Sequence, residues 1–181
     1  MDEKYMYHPL SSARRTRVIL LQSNPNRNAD LRCTLVELLF DAPVAEKRVY
    51  NALSYIWGAS TGTRPLFCEG KSILITPNCE SALRHLRHPR KVVALWVDAI
   101  CINQEDLIER AQQVSLMATI YRQAHEVLIW LGPGSEEITQ CFSRARVTSI
   151  MYESVALTNF ERRVGRRYPK LSDKVFRFYS M

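Results

Sequence analysis

Asp98 is the only charge in the apolar run VVALWVDAICI, residues 92 to 102. A carboxylate in such surroundings must be hydrogen-bonded or paired, or its pKa rises toward the range in which it exchanges protons. That chemistry suits a general acid or base, or a group that holds a ribose hydroxyl; the structural alternative is a side chain that caps a loop at a strand end. Glu109 is the second candidate acid or base, although the positive end of a helix favours a carboxylate without any catalytic duty. Between them stand Asn103, placed to cap that helix, and Gln104, which has no equally good structural role. Both amides could bind a ligand. A further group, Ser54, Tyr55, Trp57 and Gly58, ends a strand-like segment, where hydroxyl and indole groups can meet a ligand and glycine lets it approach the backbone. Trp57 is equally suited to packing in a core.

Other chemistries find less support. The five cysteines are scattered and never spaced as CxxC, so reduced thiols are expected rather than a disulfide framework or a zinc ribbon. Cys101 has no activating neighbour and reads as a small buried hydrophobe. His85 and His88, with Cys68 and Cys79, match no standard zinc spacing. The loop GASTGT lacks the lysine of a phosphate-binding loop. No metal and no bound cofactor are expected.

These residues need a scaffold, and the chain supplies alternating strand and helix signals. Strands are predicted over 17–21, 31–40 and 50–57, and a β-hairpin over 66–75 with Glu69-Gly70-Lys71 at its turn. Thr76 before Pro77 marks the start of a helix over 77–87. The run 92–102 reads as a strand buried on both faces near the centre of the sheet. A helix follows, capped by Asn103, with Leu107, Ala111, Val114, Ala118 and Tyr121 on one stripe flanked by Met117 and Ala124. Residues 127–131 form another strand, stopped by Gly132-Pro133-Gly134. A helix is expected after Ser135, and little definite structure beyond Arg162. Strand, helix, strand, helix, strand between 66 and 131 is the pattern of an α/β fold with a mainly parallel sheet flanked by helices. Sites in such folds lie beyond the carboxyl ends of the strands.

With 181 residues, 46% of them apolar and 24% charged, the chain has the composition of a globular domain. No apolar stretch approaches the roughly 20 residues of a membrane span. The N-terminus has no apolar signal segment, so a cytoplasmic location is expected. The net charge of +7 is concentrated in residues 141–181, which hold nine basic and three acidic residues. With no aromatic and basic repeat, a solvated surface explains that excess better than nucleic-acid binding.

Three segments occur in order: YNALSYIWG (50–58), LWVDAICINQED (95–106) and ERAQQVSLMATIYRQAHEVLIWLGP (109–133). Together they resemble the fungal heterokaryon incompatibility (HET) domain, with weaker similarity in TRVILL and GKSILITPNCESALRHLR. The resemblance implies an N-terminal arm (1–16), a HET-like α/β domain (17–135) with a β-hairpin insertion, and a basic C-terminal extension (136–181) that is helical or poorly ordered. It also implies a module of non-self recognition and programmed cell death, acting through self-association or contacts with partner proteins. The exposed faces of the helix over 106–124 are the natural contact surface. A distant relationship to TIR domains, flavodoxin-like modules some of which cleave NAD, carries the alternative: a hydrolase with NAD as substrate, using Asp98 and Glu109. TIR enzymes use a glutamate in a WxxxE-like context, and none of Glu136, Glu137 and Glu153 stands in one.

Overall fold

β-branched and aliphatic residues alternate or cluster in short runs separated by turn residues, and these runs assemble into one twisted layer. A computed structural model describes residues 3–40, 42, 49–58 and 61–132, and the backbone of 176–179. In chain order the elements are β1 (Arg15–Leu21), β2 (Arg32–Leu39), β3 (Asn51–Tyr55), β4 (Arg64–Cys68), β5 (Lys71–Ile75), α1 (Pro77–Leu86), β6 (Val93–Trp96), α2 (Asp98–Cys101), α3 (Leu107–Gln123), β7 (Val127–Trp130) and β8 (Phe176–Tyr179). The strands form one sheet in the order β5-β4-β2-β1-β6-β3-β7-β8. The fold is α/β.

The sheet is mixed rather than mainly parallel. β3 runs parallel to β6 and β7, β7 to β8, and β2 to β4, whereas β1 is antiparallel to β2 and β6 and β4 is antiparallel to β5. β1 enters between the hairpin half and the parallel half. Its apolar run reads the same whichever way its neighbours point, because side-chain alternation specifies a face and not a direction. Ile19 pairs with Leu35 on one side and Leu95 on the other, and both Ile19 and Leu95 are fully buried. At roughly 1.5–3 kcal/mol for each large aliphatic side chain buried, this seam is a principal source of stability.

Several predicted elements keep their type and shift their limits. The hairpin turns at Glu69 and Gly70, both with positive φ, as a tight two-residue connection requires. α1 begins as predicted, with the Thr76 hydroxyl accepting the Cys79 N–H at 3.3 Å and Pro77 in the first turn. The strand predicted over 92–102 ends at Trp96, and Asp98 to Cys101 form a helical turn instead. An apolar run of this length does not distinguish a buried strand from a buried turn of helix. α3 is capped by Asp106, whose carboxylate accepts the N–H groups of Ile108 and Glu109, and not by Asn103. Gly62 is required by contact rather than by conformation: a Cβ there would lie 2.2 Å from the carbonyl oxygen of Leu74. The helix expected after Ser135 lies outside the described residues. Within the predicted extension, β8 adds a strand that composition did not indicate.

The first four residues of the predicted stripe on α3, Leu107, Ala111, Val114 and Ala118, are turned outward, whereas Tyr121 and the flanking Met117 and Ala124 face the core. Leu107, Ile108 and Val114 are 66%, 73% and 56% exposed, whereas Glu109, Gln113 and Ile120 are buried. Arg17, buried on β1, draws Glu109 inward, and Gln113 Nε2 donates to the Arg15 carbonyl at 2.8 Å. Leu116, Met117 and Tyr121 complete the inward face.

Candidate functional site

In the sheet order β6-β3-β7, the chain leaves β6, crosses past β3 as α3, and returns in β7 on the far side. α1, which leads into β6, packs on the opposite face: Asn78 and His85 meet Trp130, while Tyr121 of α3 meets Trp96. Adjacent parallel strands whose connections run to opposite sides leave a crevice at their carboxyl ends. β3 and β6 are such a pair. The residues just beyond them are Ile56-Trp57-Gly58 and Val97-Asp98.

Trp57 and Asp98 meet at this point, just beyond the ends of both strands. The Trp57 indole N–H donates to both Asp98 oxygens, at 3.2 and 3.0 Å, and the Ala99 amide donates to Asp98 Oδ1 at 2.7 Å. Burial raises the Asp98 carboxyl above its ordinary range, and the Ala99 and Trp57 donors partly offset that rise. A half-buried carboxyl with a raised pKa and a partly exposed indole at its side can hold a polar group or exchange a proton. Gln104 closes the same rim, its side-chain amide donating to the Asp98 carbonyl at 2.9 Å.

The remaining predicted residues are placed differently. Tyr55 lies beneath the rim on the α1 face, its buried hydroxyl against the Cys79 thiol. Burial pushes the Tyr55 hydroxyl far above its usual range and the Cys79 thiol up to about 12, so both are neutral near pH 7. Ser54, one residue earlier on the strand, faces the α3 side and not Tyr55. Gly58 has φ +73° and nothing within 4 Å of the position of a Cβ, so conformation rather than close packing calls for glycine there. Asn103 shapes the loop, its side-chain oxygen accepting the Glu105 N–H at 3.2 Å.

Glu109 is committed to a buried ion pair. Its two oxygens accept from Arg17 Nη1 and Nη2 at 2.6 and 3.0 Å, and Oε1 also accepts the Asn103 N–H at 2.8 Å. Arg17 in turn donates to the carbonyls of Cys101 and His8 and lies over the Tyr7 ring. This clasp joins β1, the N-terminal arm, α2 and α3. The fork of a guanidinium meeting a carboxylate with both oxygens is a geometry that fixes position.

One residue at the rim, Asn78, was not singled out from the sequence. Asn78 donates to the Ile56 carbonyl at 2.5 Å and accepts from the Trp130 indole at 2.9 Å, so it ties the exits of β3 and β7 to the start of α1. Cys79 follows it. The sequence signal was the Thr76-Pro77 helix start, which places the next two residues in a first turn, and strand pairing then brings that turn to the rim. Among the described residues, no group of three or more His, Cys, Asp or Glu is placed to hold a metal ion.

The family model described as "Heterokaryon incompatibility protein (HET)" matches residues 50–175. The chain belongs to the heterokaryon incompatibility family. The match contains β3, the rim and α3, and β1 and β2, which precede it, complete the same sheet. The HET chain is also 39% identical over 121 residues to "Heterokaryon incompatibility protein 6, OR allele" of Neurospora crassa, a match that takes in 60% of this chain and 17% of that relative. The chain thus spans about a sixth of the relative's length. No solved structure matches it. The family and the relative support a role in fungal heterokaryon incompatibility. No helix among the described residues is long and apolar enough to cross a membrane.

Proposed function

We propose that this HET chain is a protein-contact module of non-self recognition, which leads to growth arrest or cell death in the cytoplasm by binding partner proteins or further copies of itself. The observation that carries this reading is the orientation of α3. Its Leu107, Ile108 and Val114 face solvent while Glu109 and Gln113 take the inward positions. Contiguous apolar side chains on the outside of a helix are the kind of surface that protein partners cover. The test is expression of the chain in a fungal host with growth as the readout. Arrest by the wild type, lost in Leu107→Arg and Val114→Arg variants that still fold, is the expected result. Arrest that survives both substitutions overturns the reading.

A second reading is favoured by the contact of Trp57 with Asp98 beyond the ends of β3 and β6. An NAD-cleaving hydrolase, as in some TIR-like proteins, would set the nucleotide against Trp57, with Asp98 stabilising positive charge on the ribose as nicotinamide departs. Incubation with NAD and chromatography for free nicotinamide tests it. Cleavage lost in Asp98→Ala supports this reading, and an intact NAD pool beside a growth-arresting chain excludes it.

A further inference from the structure

The outward face of α3 is self-complementary, and we infer that its occupant is a second copy of this chain, packed antiparallel about a twofold axis. The inference rests on the contact-module reading and names its partner. Leu107, Ala111, Val114 and Ala118 recur at alternating intervals of four and three, the spacing of a helix-packing seam, and all four are exposed. Large and small residues alternate in a way that only one direction can use. Antiparallel pairing sets Leu107 of one copy against Ala118 of the other, and Val114 against Ala111, so that each large side chain fills the space over a small one. Parallel pairing would oppose Leu107 to Leu107 and leave alanine facing alanine.

Charge agrees with this direction. Glu105, which also pairs with Lys4, and Asp106, which caps α3, precede its first turn, and Arg122 stands in its last turn. In the antiparallel register Arg122 lies within about 3–5 Å, measured along the axis, of the acidic pair of the other copy, by a rise of 1.5 Å per residue. Two such contacts form in a twofold pair. Parallel pairing would instead bring Arg122 against Arg122. Such a face-to-face contact is isologous, the usual form of a homodimer interface. A seam one helix long is smaller than the roughly 800 Å² per partner of a standard interface, so the association is weak and visible at high concentration.

Sedimentation of the full chain from about 10 μM to 1 mM, concentrations that bracket such weak binding, should show a monomer passing to a dimer. Val114→Arg, at an exposed position, should abolish the dimer without lowering the melting temperature. Arg122→Glu should weaken association about tenfold, and Glu105→Arg in the same chain should restore it. Direction is read by a short thiol cross-linker in a Cys141→Ser background. Leu107→Cys mixed with Ala118→Cys should link, whereas Leu107→Cys alone should not, because the two Leu107 positions lie about 16 Å apart along the axis. A chain that stays monomeric throughout, or Leu107→Cys chains that link to one another, overturns the proposal. If a monomeric chain still loses growth arrest on Val114→Arg, α3 remains a contact surface and the second copy is excluded as its occupant.

Discussion

α1 and α3 flank the same sheet, start with side-chain caps, and carry apolar residues at helical spacing, yet they obey opposite rules. α1 buries Cys79, Ala82 and Leu83 and leaves Glu80 and Arg84 to pair with each other at 2.9 Å on its outer side. α3 buries Glu109 and Gln113 and leaves Leu107 and Val114 in solvent. The difference lies in what each helix covers. α1 meets Trp130 and an apolar strand surface, whereas α3 lies over the start of β1, where the Arg17 guanidinium and the Arg15 carbonyl need partners. Leaving Arg17 buried without a counter-ion would cost about 3–5 kcal/mol, of the same order as burying Leu107 and Val114 would gain. The ion pair, together with the Gln113 bond to the Arg15 carbonyl, holds α3 in its observed rotation, with Leu107 and Val114 left outside.

The largest effect is expected where the two helices differ most. Glu109→Ala leaves Arg17 buried without its partner and should lower unfolding stability in urea by about 3–5 kcal/mol, while Arg17→Met with Glu109→Leu should recover most of the loss. A loss below about 1 kcal/mol for Glu109→Ala would mean that the pair does not anchor α3. Next is a pair of apolar truncations. Leu83→Ala on α1 should cost about 2–5 kcal/mol, and Val114→Ala on α3 should stay within about 0.5 kcal/mol. Equal costs would erase the contrast between the helices. The caps should behave alike, with Thr76→Ala and Asp106→Ala each lowering stability by about 1 kcal/mol in the same assay.

The smallest effect concerns the rim. Asp98 has a folded-state pKa raised by burial, so over the window above the ordinary carboxylate range the folded chain binds more protons than the unfolded one. Its contribution to stability therefore falls as pH rises through that window. Asp98→Asn should remove this part of the decline in a series of melting temperatures against pH. An unchanged slope would show that the carboxyl is not desolvated in the folded protein.

Much of the architecture was legible because it depends on local chemistry. Thr76-Pro77 marks a helix start, Glu69-Gly70 a tight turn, and runs such as RVILL and VLIW short buried strands. The limits of β6 were not legible, since Leu95, Ala99 and Ile100 are apolar whether they lie on a strand or on a turn of helix. Trp57, Asp98 and Gln104 were grouped by the rule that sites form beyond strand ends, and the structure brings them onto one rim. Asn103 and Glu109 follow the Arg17 clasp instead, which no local pattern indicates because Arg17 is distant in sequence from both. Asn78 joined the rim unannounced for the same reason.

By itself, the amino-acid sequence determined the family, the α/β class and the presence of two helices, since each is written in residue types and short spacings. Only the tertiary structure decided strand direction, the rotation of α3 and the role of Glu109. The first depends on which strands pair and the other two on where a buried guanidinium finds its counter-ion, and both are contacts between elements far apart along the chain.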